Sequence, residues 1–195
     1  MVIVAVIANI AAQVFNALGV FFVVVNLHTQ ARFFGLQDTM LGTGVVIGAA
    51  AAGWLGARMG LARTIWASLV LFGVFFGAYA RTSSFLVGLG FLLLMAVPLG
   101  AMNTAVSPLL VRAVPRDVLG RVFAAFIPAI QSMGIVGVAV AGWLSSSVLR
   151  GLDARVLGVH FGTYDTIFLA GAAIVVISGI YAAFAFGGAD SMPTP

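Results

Sequence analysis

The sequence predicts an all-α polytopic membrane protein, six transmembrane helices arranged as two inverted three-helix repeats. Three observations carry this. Apolar residues make up 63% of the 195 residues and charged residues 7%, with a mean hydropathy of +1.20. The apolar residues are gathered into six runs of span length. A motif in the second run recurs in the fifth. A soluble domain keeps its surface wet with roughly 25% charged residues, so the solvent this composition suits is lipid.

A helix needs about 20 mainly apolar residues to cross the hydrocarbon core. Six segments qualify, at about 2–25, 39–57, 62–80, 84–111, 121–148 and 165–186. They form a single transmembrane domain, 1–186, and the polar tail 187–195 is expected to be disordered. The segments are continuously apolar rather than alternating, which excludes strands of a β-barrel. Met1 runs directly into Val2-Ile3-Val4 with no basic lead, so a signal peptide is not expected. So abrupt a start suggests a piece of something longer.

The charges are few and of two kinds: all nine basic residues are Arg and all five acidic residues are Asp. The net charge is +4 and the pI near 10.7. The Arg residues are scattered singly between apolar runs, where they read as orienting charges rather than as a surface for nucleic acid. With the N-terminus inside, the inside loops hold Arg58, Arg63, Arg112, Arg116 and Arg121. The outside loops hold Arg32, Arg81, Arg150 and Arg155. Asp38, Asp117, Asp153, Asp165 and Asp190 all fall in loops, at helix ends or in the tail. There is no Cys, hence no disulfide and no thiolate ligand. His28 and His160 stand in loops without metal-ligand spacing. No nucleophile, base and metal set can be assembled, so neither an enzyme, a cofactor nor a metal site is expected.

The repeat lies at an offset of 89 residues, from Gly48 to Gly137. Gly48-Ala49-Ala50-Ala51-Ala52-Gly53-Trp54-Leu55 matches Gly137-Val138-Ala139-Val140-Ala141-Gly142-Trp143-Leu144 at six of eight positions. A unit of three helices places its copies in opposite orientation, the inverted plan of many secondary transporters.

Polar residues inside the apolar runs are the candidates for function. The first helix carries Asn9, Gln13 and Asn16, spaced i, i+4, i+7 on one stripe. The fourth carries Asn103, Thr104 and Ser107, and the fifth Gln131 and Ser132. An amide in hydrocarbon needs a partner or water, so the stripes imply a polar pathway, or hydrogen bonds between helices. The third and sixth runs hold little beyond Ser68 and Ser178. Asn9, Gln13, Asn16, Asn103, Ser107 and Gln131 are the pathway residues of choice. Small residues, among them Gly44-x-x-x-Gly48, allow close helix approach. Pro98, Pro108 and Pro128 lie inside helices, where each removes a backbone donor and favours a kink.

Two loop motifs are the most specific signals. Gly53-Trp54-Leu55-Gly56-Ala57-Arg58-Met59-Gly60 resembles the cytoplasmic G-x-x-x-D-R-x-G-R-[RK] motif of the major facilitator superfamily. Gly53, Arg58 and Gly60 match, while Ala57 stands at the acidic position. Pro115-Arg116-Asp117-Val118-Leu119-Gly120-Arg121-Val122-Phe123 is similar to the P-x-x-x-x-G-R-V-F segment of the drug, macrolide and siderophore exporters in that superfamily. The resemblance covers about residues 2–186 and implies the C-terminal six-helix half of a twelve-helix transporter.

What the resemblance implies is a plasma-membrane transporter half with a cytoplasmic N-terminus. It would export small amphipathic molecules by alternating access. A second six-helix half, separate or a second copy, would complete it. Helices one and four would line the cavity, and helices three and six would be peripheral. Gly53, Arg58, Gly60, Pro115, Gly120 and Arg121 would form the cytoplasmic gate. Any proton carrier would lie in the other half. An inactive truncated fragment or a non-transporting membrane scaffold is the alternative.

Overall fold

In the computed structural model, residues 2–25, 33–113, 119–148, 154–156, 159–161 and 163–186 are described. They contain the helices α1 (Val2–Val25), α2 (Phe34–Met59), α3 (Leu61–Ala80), α4 (Phe85–Ala113), α5 (Leu119–Trp143) and α6 (Thr163–Phe186). Five of them hold stretches long and apolar enough to cross a bilayer: Gly35–Met59, Leu61–Ala80, Phe85–Pro108, Pro128–Ser147 and Tyr164–Phe184. In α1, a helix of 24 residues, the described apolar stretch Ile10–Gly19 is shorter than a span. The chain is a helical integral membrane protein.

Three local features differ from the sequence reading. Helix α2 begins at Phe34 rather than near 39, which takes Gln37 and Asp38 into its first turns. Helix α5 widens into a π-helical turn, Leu144–Val148. The connection to α6 is not purely irregular: β1 (Ala154–Val156) pairs antiparallel with β2 (Val159–Phe161), Arg155 opposite His160. The tail 187–195 and the connection 114–118 lie outside the described residues.

A single residue, Gly60, joins α2 to α3. Its φ of 86° is a conformation that glycine reaches at little steric cost. The Gly60 carbonyl accepts from the Thr64 amide at 3.0 Å and from the Thr64 hydroxyl at 2.9 Å. At the opposite end of the bundle, Phe33 meets Phe85, Phe22 meets Tyr79, and Phe21 stacks on Tyr164. That end therefore gathers the end of α1, the start of α2, the end of α3 and the starts of α4 and α6.

The helices pack in the order α2–α4–α3–α6–α1–α5. Helices α3 and α6 thus stand in the middle of this packing order. Their aromatic residues make the core of the bundle: Phe72, Phe76, Tyr79 and Phe168 close around Phe15 and Phe22 of α1, with ring centroids 5.0–6.0 Å apart. Such offset and edge contacts are worth about 0.5–1.5 kcal/mol each beyond burial.

Glycines set the distances between helices. Gly44 and Gly48 turn toward α4, where a Cβ on Gly44 would come 2.7 Å from the Leu93 carbonyl and one on Gly48 would overlap the Val97 carbonyl. Gly100 returns the contact against the Val45 carbonyl. On α5, Gly137 faces Ile10 of α1. Between α3 and α6 the packing is reciprocal. Gly73 lies against Val176, its Cβ position 3.0 Å from the Val176 backbone nitrogen. Gly179 lies against Val70 at the same 3.0 Å. Both helices therefore carry Val-x-x-Gly, and each Val seats on the other's Gly.

Candidate functional site

The polar stripes lie on the outside of this bundle. Asn16 of α1, Asn103, Thr104 and Ser107 of α4, and Gln131 and Ser132 of α5 are exposed, and Gln13 is half-buried. Asn9 is in α1, but its side chain lies outside the described residues. Helices α1 and α5 pack together, and there Gln13 and Gln131 meet. The Gln13 amide nitrogen donates to the Gln131 carbonyl oxygen at 3.5 Å, at the long limit of a hydrogen bond.

Several of the others satisfy part of their capacity on their own helix. The Asn16 amide donates to the Ala12 carbonyl at 2.9 Å. The Thr104 and Ser132 hydroxyls donate to the carbonyls of Gly100 and Pro128 at 3.0 and 2.8 Å. A primary amide has two donors and a carbonyl acceptor, so one bond each leaves Asn16 and Gln131 with capacity to spend on water or a ligand. The arrangement offers neutral hydrogen-bonding groups and no charge.

Of the loop-motif residues, Gly53, Arg58 and Gly60 lie where α2 ends, and Gly120 and Arg121 where α5 begins. The Arg58 guanidinium lies over the Trp54 ring, 4.5 Å from its centroid, a cation–π contact one helical turn long. Trp54 is 59% exposed. Gly53 and Gly120 border open space, and Arg121 is exposed. Gly60 is the link between α2 and α3. Pro115 lies outside the described residues.

No family model matches this chain, and no curated protein or solved structure matches it.

Sequence reading missed a second polar group, at the end of the bundle where α3 finishes. Gln37 is fully buried, and its amide nitrogen donates to the Tyr79 hydroxyl at 2.9 Å. Its carbonyl oxygen, also buried, has no protein partner. Asp165, in the first turn of α6, is 8% exposed. Its carboxylate stands 3.9 Å from the Arg81 guanidinium. The chain thus buries a carboxylate at a helix end. Gln37 was hidden because α2 was expected to start after it, and Asp165 because a helix end says nothing of what packs around it. Among the described residues no group of His, Cys, Asp and Glu is placed to hold a metal.

Proposed function

We propose that this chain is one six-helix half of a secondary transporter of the major facilitator type. It exports small amphipathic molecules by alternating access, with a second half supplied by a partner chain or by a second copy. One observation carries the reading: amides and hydroxyls of α1, α4 and α5 lie exposed on helices whose outer surface is otherwise largely aliphatic and aromatic. Such groups are unstable against hydrocarbon. A face that presents them belongs against water or against protein, as the wall of a cavity does.

The packing supports the inverted repeat. Exchanging α1 with α4, α2 with α5 and α3 with α6 turns the principal contacts into one another. The α2–α4 pair becomes α5–α1, α3–α4 becomes α6–α1, and α3–α6 maps onto itself. Gly48 and Gly137, equivalent in the sequence repeat, do the same job in exchanged pairs: one meets α4 and the other α1. The reciprocal Val-x-x-Gly contacts fit a two-fold axis passing between α3 and α6. In this reading the loop motifs and the N-terminus are cytoplasmic and the membrane is the plasma membrane.

The chain has no cysteine, so single cysteines can be introduced on a silent background. In membranes, Asn103→Cys, Ser107→Cys and Gln131→Cys should react with a water-soluble thiol reagent. Ile177→Cys, from a residue 65% exposed on α6, should not. The same polar positions changed to Leu should lower export of a fluorescent amphipathic dye from cells that express the chain. Equal reactivity at all four cysteines, or dye export indifferent to the Leu variants, would overturn the proposal.

A further inference from the structure

Helices α5 and α6 both pack on α1 but splay apart from each other, and the gap is a cleft of about 390 Å³. Small residues on all three helices make room for it. Ala11 comes from α1, Gly137 and Ala141 from α5, Ala170 and Gly171 from α6, and Phe76 of α3 closes the base. Every lining residue is apolar or glycine. The cleft is not part of the polar face. On α1 it uses the positions of Ile10, Ala11 and Val14, whereas Gln13 and Asn16 project from the other side at helical spacing.

The depth of the cleft is informative. On α5 it runs from Met133 to Leu144, which at 1.5 Å per residue is roughly 16 Å. Half of a bilayer's hydrocarbon core is roughly 15 Å. The lining residues sit in one half of the bundle. They run from the middle of α5 to its end, and along α6 from Ile167 to Ile174, the half nearer its start. The rim is amphipathic. Ser145 and Ser146 stand on the π-helical turn just beyond Leu144, and the half-buried Tyr164 lies one turn before Ile167. Trp143, 59% exposed, stands at the same level, as Trp does near lipid headgroups.

We infer that this cleft is a binding site for one acyl chain of a bilayer phospholipid, drawn from the leaflet at the α6 N-terminal end, with the headgroup at the serine and tyrosine rim. Water is not stable in a cavity without polar partners. An empty cleft would leave its walls without contacts on one side. Both walls lie within membrane-crossing stretches, so lipid hydrocarbon is the medium at hand. The site requires only that the chain spans a bilayer, and it stands whether or not the chain transports anything.

The test uses the full chain in phosphatidylcholine vesicles containing a minor fraction of phosphatidylcholine with a diazirine along one acyl chain. After photolysis, mass spectrometry maps the labelled residues. Labelling should concentrate several-fold on Met133–Leu144 and Ile167–Ile174 over equally exposed positions elsewhere, such as Leu86 and Val46. Ala170→Phe, which fills the cleft from its exposed wall, should abolish the excess and leave labelling at Leu86 unchanged. The wild-type map alone decides the matter if that variant does not fold. Labelling that merely follows exposure, or a cleft that stays unlabelled because a second copy covers it, would overturn the inference.

Discussion

Gln37 and Tyr79 show how much a buried polar side chain depends on its partner. Tyr79→Phe deprives the Gln37 amide of its hydrogen bond and leaves both ends of a fully buried amide unmatched. The cost is about 1–3 kcal/mol. In the pair Gln37→Leu with Tyr79→Phe both polar groups are gone and the change is close to neutral. Thermal unfolding in detergent checks the order. A double variant less stable than Tyr79→Phe alone would refute it. The Arg81–Asp165 pair follows a related logic. Arg81→Ala removes the guanidinium beside a buried carboxylate, whereas Asp165→Asn removes the charge and keeps the shape. Because Arg81 is partly exposed and the pair is long, the loss from Arg81→Ala is about 1 kcal/mol. The loss from Asp165→Asn should be smaller in the same assay.

Between helices, one residue type has opposite consequences in neighbouring turns. Gly48 is pressed against the α4 backbone, whereas Gly53 on the same helix has nothing within 4 Å. Gly48→Ala should therefore force α2 from α4 and cost about 1–3 kcal/mol. Gly53→Ala should be neutral or stabilising by up to about 1 kcal/mol, the gain in helix propensity. Equal unfolding temperatures for the two variants would contradict the packing described for α2 and α4. Gly73→Ala and Gly179→Ala should cost the same as each other, since each Cβ meets the partner Val backbone at 3.0 Å. A large difference between them would argue against a two-fold relation of α3 and α6.

At the scale of the whole molecule, the bundle is a sequence of packed pairs with α2 and α5 at its two ends. A polar face is left exposed beside them. If that face is a cavity wall, something must stand opposite. Native mass spectrometry in mild detergent should show the chain as a dimer, alone or with a second six-helix protein. A strict monomer in the presence of its native membrane extract would remove the homodimer and the partner half together. The alternative of a non-transporting fragment would then be the better reading.

The membrane class and the approximate helix positions were legible in the sequence. Hydropathy is a sum over about 20 consecutive residues, and that sum does not depend on what packs where. The polar stripes were legible too, because residues three and four apart share a helix face. Which way each stripe turns was decided only in three dimensions. Ser68 and Ser178 on α3 and α6 point inward, while Asn16, Asn103 and Gln131 point out. Periodicity marks a face and not its neighbour, so it cannot tell a core from an outer wall. The glycines are alike in the sequence, yet Gly48 spaces two helices, Gly60 turns the chain and Gly53 touches nothing. Gln37, Asp165 and the apolar cleft belong wholly to the tertiary structure. Each is made by residues brought together from distant helices, and no local sum or spacing records that approach.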